Sequence, residues 1–145
     1  MQSFVRLNML SIIHALVLLI PIELMLNVHR IARLLNWDGD QAAILLIIIS
    51  LIAIIIGTIF VLFLTNRWFK QSNGRFWTLL LWFPYFLLLI FIVACLFPMT
   101  NPGDDPGPGA GLILIFVILL FPVYVLVINL CIPLSDWKRA TVNNI

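Results

Sequence analysis

Ala42–Leu64 is a run of 23 residues in which only Ser50, Gly57 and Thr58 interrupt apolar side chains, with no charge and no proline. A helix rises 1.5 Å per residue, so this run would be about 34 Å long, enough to cross a hydrocarbon layer of roughly 30 Å. Ile and Leu, with one Ala, fill positions 44–49 and 51–56, so no side of such a helix is left to face water. The run therefore predicts a membrane span. Composition agrees: with 63% hydrophobic and 10% charged residues, the chain cannot coat a soluble domain with polar surface, and lipid is the solvent it requires.

Three further apolar stretches join it. The expected spans are about 8–28, 42–64, 76–97 and 112–132, which makes the chain an all-α polytopic membrane protein, a four-helix transmembrane bundle with short loops forming a single domain. Arg6 followed by Leu7 to Ile20 imitates a signal peptide. No small-x-small cleavage pattern follows, so the segment is read as a retained first span. His29 to Trp37 places Ile31, Leu34 and Leu35 toward one side and Arg30 and Arg33 toward the other, the pattern of a short interfacial helix. Asp40 is the expected N-cap of the second span. Asn73-Gly74 reads as a turn in the basic connection before the third span, and Asn143–Ile145 as a frayed end. Residues 98–111 hold four prolines and four glycines, which predicts an exposed loop with Asp104 and Asp105 solvated.

Orientation follows from the short loops. One side would carry Arg6, Arg67, Lys70, Arg75, Lys138 and Arg139, the other only Arg30 and Arg33 together with Asp38, Asp40, Asp104 and Asp105. By the positive-inside rule both termini are cytoplasmic, in a plasma or inner membrane. The net charge of +2 is spread thinly, and no basic run exists to follow a phosphate backbone, so nucleic acid is excluded as a partner.

Ionisable groups inside a bilayer are costly and are the first functional candidates. Glu23, Asn27 and Arg30 are spaced four and three apart on one helix face, with either Asn27 linking the carboxylate to the arginine or another chain supplying the partner. His14 points to nearly the opposite side of the first span, and Asn129 of the fourth lies at a matching depth, so a bond between them across helices is expected as a packing device. Ser50, Ala53 and Gly57 form a stripe of small residues where a neighbouring helix can approach closely. Trp82 and Tyr85 lie deep enough in the third span to need either partners for their polar atoms or a position close to the headgroups after tilting. Cys95 and Cys131 sit near opposite ends of their spans and are too far apart to bridge.

No motif for catalysis, metal or cofactor appears. HExxH, a nucleophile elbow, a glycine-rich phosphate loop and paired carboxylates at catalytic spacing are all missing from the sequence. His14 and His29 are about 22 Å apart along a helix and cannot share one iron. The expectation is a protein without catalytic residues, metal or cofactor. Four short-looped spans look like several unrelated groups, among them small multidrug transporters, the microsomal glutathione-transferase group and membrane immunity proteins. The first of these implies a central carboxylate in the first span, whereas Glu23 is displaced toward one end; no motif covers enough of the chain to name a family. The reading is then an accessory or assembly subunit of a membrane complex, or a homo-oligomer, with a small channel or transporter using Glu23 and Asn27, or an immunity protein against a membrane-active toxin, as alternatives.

Overall fold

A computed structural model describes residues 2–69 and 76–142, with side chains for 4–69 and 76–131. The described chain is all-α. Its helices are α1 (Gln2–Leu26), α2 (Val28–Leu35), α3 (Gly39–Phe69), α4 (Thr78–Leu96) and α5 (Gly107–Val142), with a 3-10 turn at Pro102–Asp104 between the last two. α1, α3, α4 and α5 are each long and apolar enough to cross a bilayer, so the protein is an integral, multi-pass membrane bundle. The Asn73-Gly74 turn, Lys70, Arg75 and Asn143–Ile145 lie outside the described residues, as do the side chains of Trp137, Lys138 and Arg139.

Several boundaries differ from the sequence reading, each for a local reason. α3 begins at Gly39, and the Ala42 amide donates to the Asp38 carbonyl at 3.0 Å, so the N-terminal boundary lies at Asp38 and Asp40 is already inside the first turn. α3 also runs on to Phe69, which makes Asn66 to Phe69 helical rather than connecting chain. α5 starts five residues earlier than expected, at Gly107. Gly107 has φ +73°, a left-handed conformation that glycine adopts without a Cβ clash, and its amide donates to Asp105 Oδ1 at 2.9 Å. Pro108 then falls in the first turn, where a missing N–H costs nothing, so a Gly/Pro-rich segment serves as a helix start. At its other end α5 continues past residue 132 to Val142.

α1 and α2 are separated only at Asn27. Its side-chain amide turns back to the Glu23 carbonyl at 2.9 Å, competing with the backbone for that acceptor, and its φ of −100° and ψ of 15° bend the chain there. α2 ends on Asn36, which takes φ 53°, while the Trp37 amide donates to the Ala32 carbonyl at 2.9 Å. This is a Schellman-type stop with Asn in place of the usual Gly.

α1 is the centre of the bundle. In its most apolar stretch 44% of residues are buried, against 11% in α3 and in α4, and it packs most extensively on those two helices. Two buried clusters flank it. One joins Ala15, Leu18, Leu19 and Ile22 to Trp82 and Phe86 of α4 and to Phe121 and Val125 of α5. The other joins Leu10 and Val17 to Val61, Leu64 and Phe69 of α3 and to Ile128 of α5. Large residues of α3, among them Ile44, Ile47, Ile55, Ile56, Ile59 and Phe63, point outward at 58–62% exposure, the surface expected of a helix solvated by lipid.

Candidate functional site

Polar residues in the bundle divide into three groups. The first is a buried layer toward the end where α1 begins. Each long helix contributes a fully covered polar side chain: Ser11 and His14 from α1, Thr65 from α3, Thr78 from α4 and Asn129 from α5. Ser11 and Thr65 donate to carbonyls four residues back, at 2.9 and 2.7 Å, which satisfies a hydroxyl without a partner helix. Asn129 Nδ2 donates to Thr78 Oγ1 at 3.2 Å, tying α5 to α4. His14 Nδ1 lies 2.8 Å from the Leu10 carbonyl, which can only accept, so Nδ1 carries the proton and Nε2 is a bare acceptor. Nε2 has no partner among the described residues, so the expected His14–Asn129 bond is not formed. His14 turns instead along its own helix.

Two more bonds between helices were not legible in the sequence. Tyr85 donates its hydroxyl to Asn8 Oδ1 at 2.6 Å, holding α4 on α1, and the Thr58 and Tyr124 hydroxyls lie 2.8 Å apart between α3 and α5. Tyr85 thus has the partner its depth requires, whereas Trp82 Nε1 is buried without one among the described residues. In a double-mutant cycle, Thr58→Ala and Tyr124→Phe are expected to show a coupling of about 0.6–1 kcal/mol, the usual worth of such bonds in a membrane. Additive effects would mean that the two hydroxyls act independently.

The second group clamps the opposite end. Arg33 donates bidentately to Asp104, Nε to Oδ1 at 2.9 Å and Nη2 to Oδ2 at 2.7 Å, and Arg30 Nη1 donates to the Phe97 carbonyl at 3.1 Å. Asp104, expected to be solvated, is 3% exposed, while Asp105 is used to start α5. The bond to Arg33 holds the Asp104 carboxyl below its ordinary range, reinforced by the charges of Arg33, Arg30 and His29, and raises the Arg33 guanidinium in turn. A carboxylate with a depressed folded-state pKa contributes stability above its unfolded value and loses it as pH falls through the folded one. The clamp is therefore expected to be intact at neutral pH and to open only below about pH 3.9. Protease cleavage within 98–106 at pH 7 is expected to be faster in Asp104→Asn than in the parent; equal rates would show that the pair does not restrain the loop.

The third group is Glu23 and Asn27. Asn27 Nδ2 donates to Glu23 Oε2 at 3.1 Å. Arg30 is not part of it, because the helix breaks at Asn27 and the Arg30 guanidinium donates to the Phe97 carbonyl just past the end of α4. Both residues are half-buried and lie on the outward side of α1, in line with Val5, Met9, Leu16 and Ile20, which are 37–54% exposed. Spacings of four, seven, four, three and four keep that line on one face. Leu10, His14, Val17, Leu18 and Ile22 occupy the buried side.

Of the small-residue stripe, Gly57 has the close neighbour: a methyl there would lie 2.6 Å from Val17 Cγ2. Ser50 donates to the Leu46 carbonyl at 2.7 Å and borders a cleft of about 130 Å³ with Leu24, Met25 and Val28, and Ala53 is half-buried. A larger cavity of about 330 Å³ between α1, α3 and α5 is walled by Leu18, Pro21, Ile54, Val117 and Phe121, with Tyr124 its one hydroxyl-bearing residue. A cleft of about 520 Å³ between α4 and α5 contains Pro84 and Pro122 with Leu80 and Ile118, the residues four back whose carbonyls the prolines cannot reach with an N–H. Cys95 and Cys131 are both free and exposed. Among the described residues no group of three or more His, Cys, Asp or Glu could hold a metal ion.

No protein-family profile matches the chain, and neither a curated protein nor a solved structure matches it at a significant level.

Proposed function

We propose that the chain is a non-enzymatic accessory or assembly subunit of a membrane protein complex, lying in a plasma or inner membrane with both termini in the cytoplasm. One observation carries the reading: the Glu23 carboxylate and its Asn27 cap lie on the outward stripe of α1, away from the bundle interior. A channel or transporter built on Glu23 needs that carboxylate along a wet cavity or an oligomer axis, whereas in a subunit it is paired or capped, and here Asn27 caps it. A subunit instead uses such a group at the surface that meets its neighbour, where small and polar residues hold helices together. The orientation rests on the count of basic residues in the short loops, with Arg30 and Arg33 alone on the non-cytoplasmic side.

Extraction of the intact protein from its native membrane in mild detergent is expected to yield a stoichiometric partner. In reconstituted vesicles of the isolated chain, Glu23→Gln is expected to leave ion flux unchanged. Flux that depends on Glu23, with no copurifying chain, would replace this reading by the transporter. Reporter tags at either terminus are expected to be accessible only from the cytoplasm, and a tag within 98–106 only from the other side.

A further inference from the structure

We infer that the outward stripe of α1 docks a transmembrane helix of another protein that presents a Lys or Arg side chain at the depth of Glu23. The inference rests on the subunit reading above and adds to it the surface and the chemistry of the partner.

At Glu23 and Asn27 both bonds come from one donor, Asn27 Nδ2, which reaches the Glu23 carbonyl at 2.9 Å and Oε2 at 3.1 Å. Among the described residues no bond reaches Glu23 Oε1 or Asn27 Oδ1. The notch therefore offers a carboxylate and an amide oxygen, all acceptors, with no hydrogen-bonded cation. Its surroundings are apolar: Ile20 and Leu16 lie one and two turns below at 45% and 37% exposure. A carboxylate on a lipid-facing surface is expensive, and the arrangement that offsets the cost is an opposite charge supplying several N–H groups. A guanidinium or ammonium carried on a neighbouring helix has that chemistry, while Leu16 and Ile20 give the same helix an apolar surface to lie against.

A second copy of this chain is the poorer occupant. The arginines at this end are engaged within their own chain, Arg33 with Asp104 and Arg30 with the Phe97 carbonyl. Neither arginine is left to serve a second copy, and His29, the remaining basic side chain at this end, is neutral at pH 7 in its ordinary form, so the donor is assigned to a helix of a different protein.

The test places a photo-crosslinking amino acid at Ile20 in the full chain in its native membrane, with a control at Ile55 on the lipid-facing side of α3. The expected result is an adduct with one other membrane protein from position 20 and none from 55, the joined segment being a hydrophobic helix with Lys or Arg within about one turn. Glu23→Gln is expected to lower the adduct yield on the order of tenfold. Glu23→Lys is expected to abolish the adduct, and changing the partner's basic residue to Glu is expected to restore it in the Glu23→Lys background. Adducts with lipid alone, adducts between copies of this chain, or a yield insensitive to both substitutions would overturn the inference. A stoichiometric partner that crosslinks through another face would overturn this surface and leave the subunit reading standing; Glu23-dependent flux without a partner would remove both.

Discussion

Trp82→Ala is expected to destabilise the bundle by about 3–4 kcal/mol, and Trp82→Phe by only about 1 kcal/mol. Trp82 is 2% exposed at the meeting of three helices, with its ring edge-on to Phe121 at 4.7 Å and beside Phe86 at 6.1 Å, in the cluster that includes Leu18, Leu19 and Ile22 of α1. Water does not drive these helices together, because lipid tails are as apolar as the side chains they replace, so contact density holds the bundle closed. Removing the indole deletes one of the largest sets of contacts between α4 and the rest. Because Trp82 Nε1 has no partner among the described residues, phenylalanine loses area and no hydrogen bond, which is why the two substitutions are expected to separate. An SDS titration from mixed micelles, read by a fluorophore pair on α1 and α4, measures both. Equal, large losses would mean that the N–H carries the stability instead of the packing.

Gly57→Leu is expected to cost about 3 kcal/mol and Gly57→Ala about 1 kcal/mol. A Cβ at position 57 would lie 2.6 Å from Cγ2 of Val17, 3.4 Å from Cγ1 and 3.5 Å from its Cβ. Valine is stiff at χ1 and cannot swing its methyl aside, so α1 and α3 must separate. The better helix propensity of alanine returns up to about 1 kcal/mol, which is why its net cost is the smaller. Val17→Ala is expected to relieve most of the Gly57→Ala penalty in the double variant. Costs that simply add would show that the contact is not what limits position 57.

The clamp and the notch illustrate how unequally the sequence speaks. Arg33 and Asp104 are 71 positions apart, and Asp104 stands in a Gly/Pro segment whose composition points to open solvent. Asn27 reads as one more polar position on the face of Glu23 and Arg30, yet its amide bends the helix and sends Arg30 to the Phe97 carbonyl. Pro108 and its flanking glycines look like helix breakers, but a left-handed Gly107 and an Asp105 cap make them the start of α5. Tyr85 is the reverse case: its depth announced the need for a partner, and only the identity of Asn8 was hidden.

The amino-acid sequence alone determined that lipid is the solvent and that four long helices result, because transfer to a bilayer sums over neighbouring residues and each helix satisfies its own backbone. Tertiary structure decided which side of each helix is covered. A helix apolar on all sides, as α3 is, carries no periodicity from which its rotation can be read. The outward setting of Glu23, the contact of Gly57 with Val17 and the turning of His14 onto the Leu10 carbonyl were therefore settled by packing between helices.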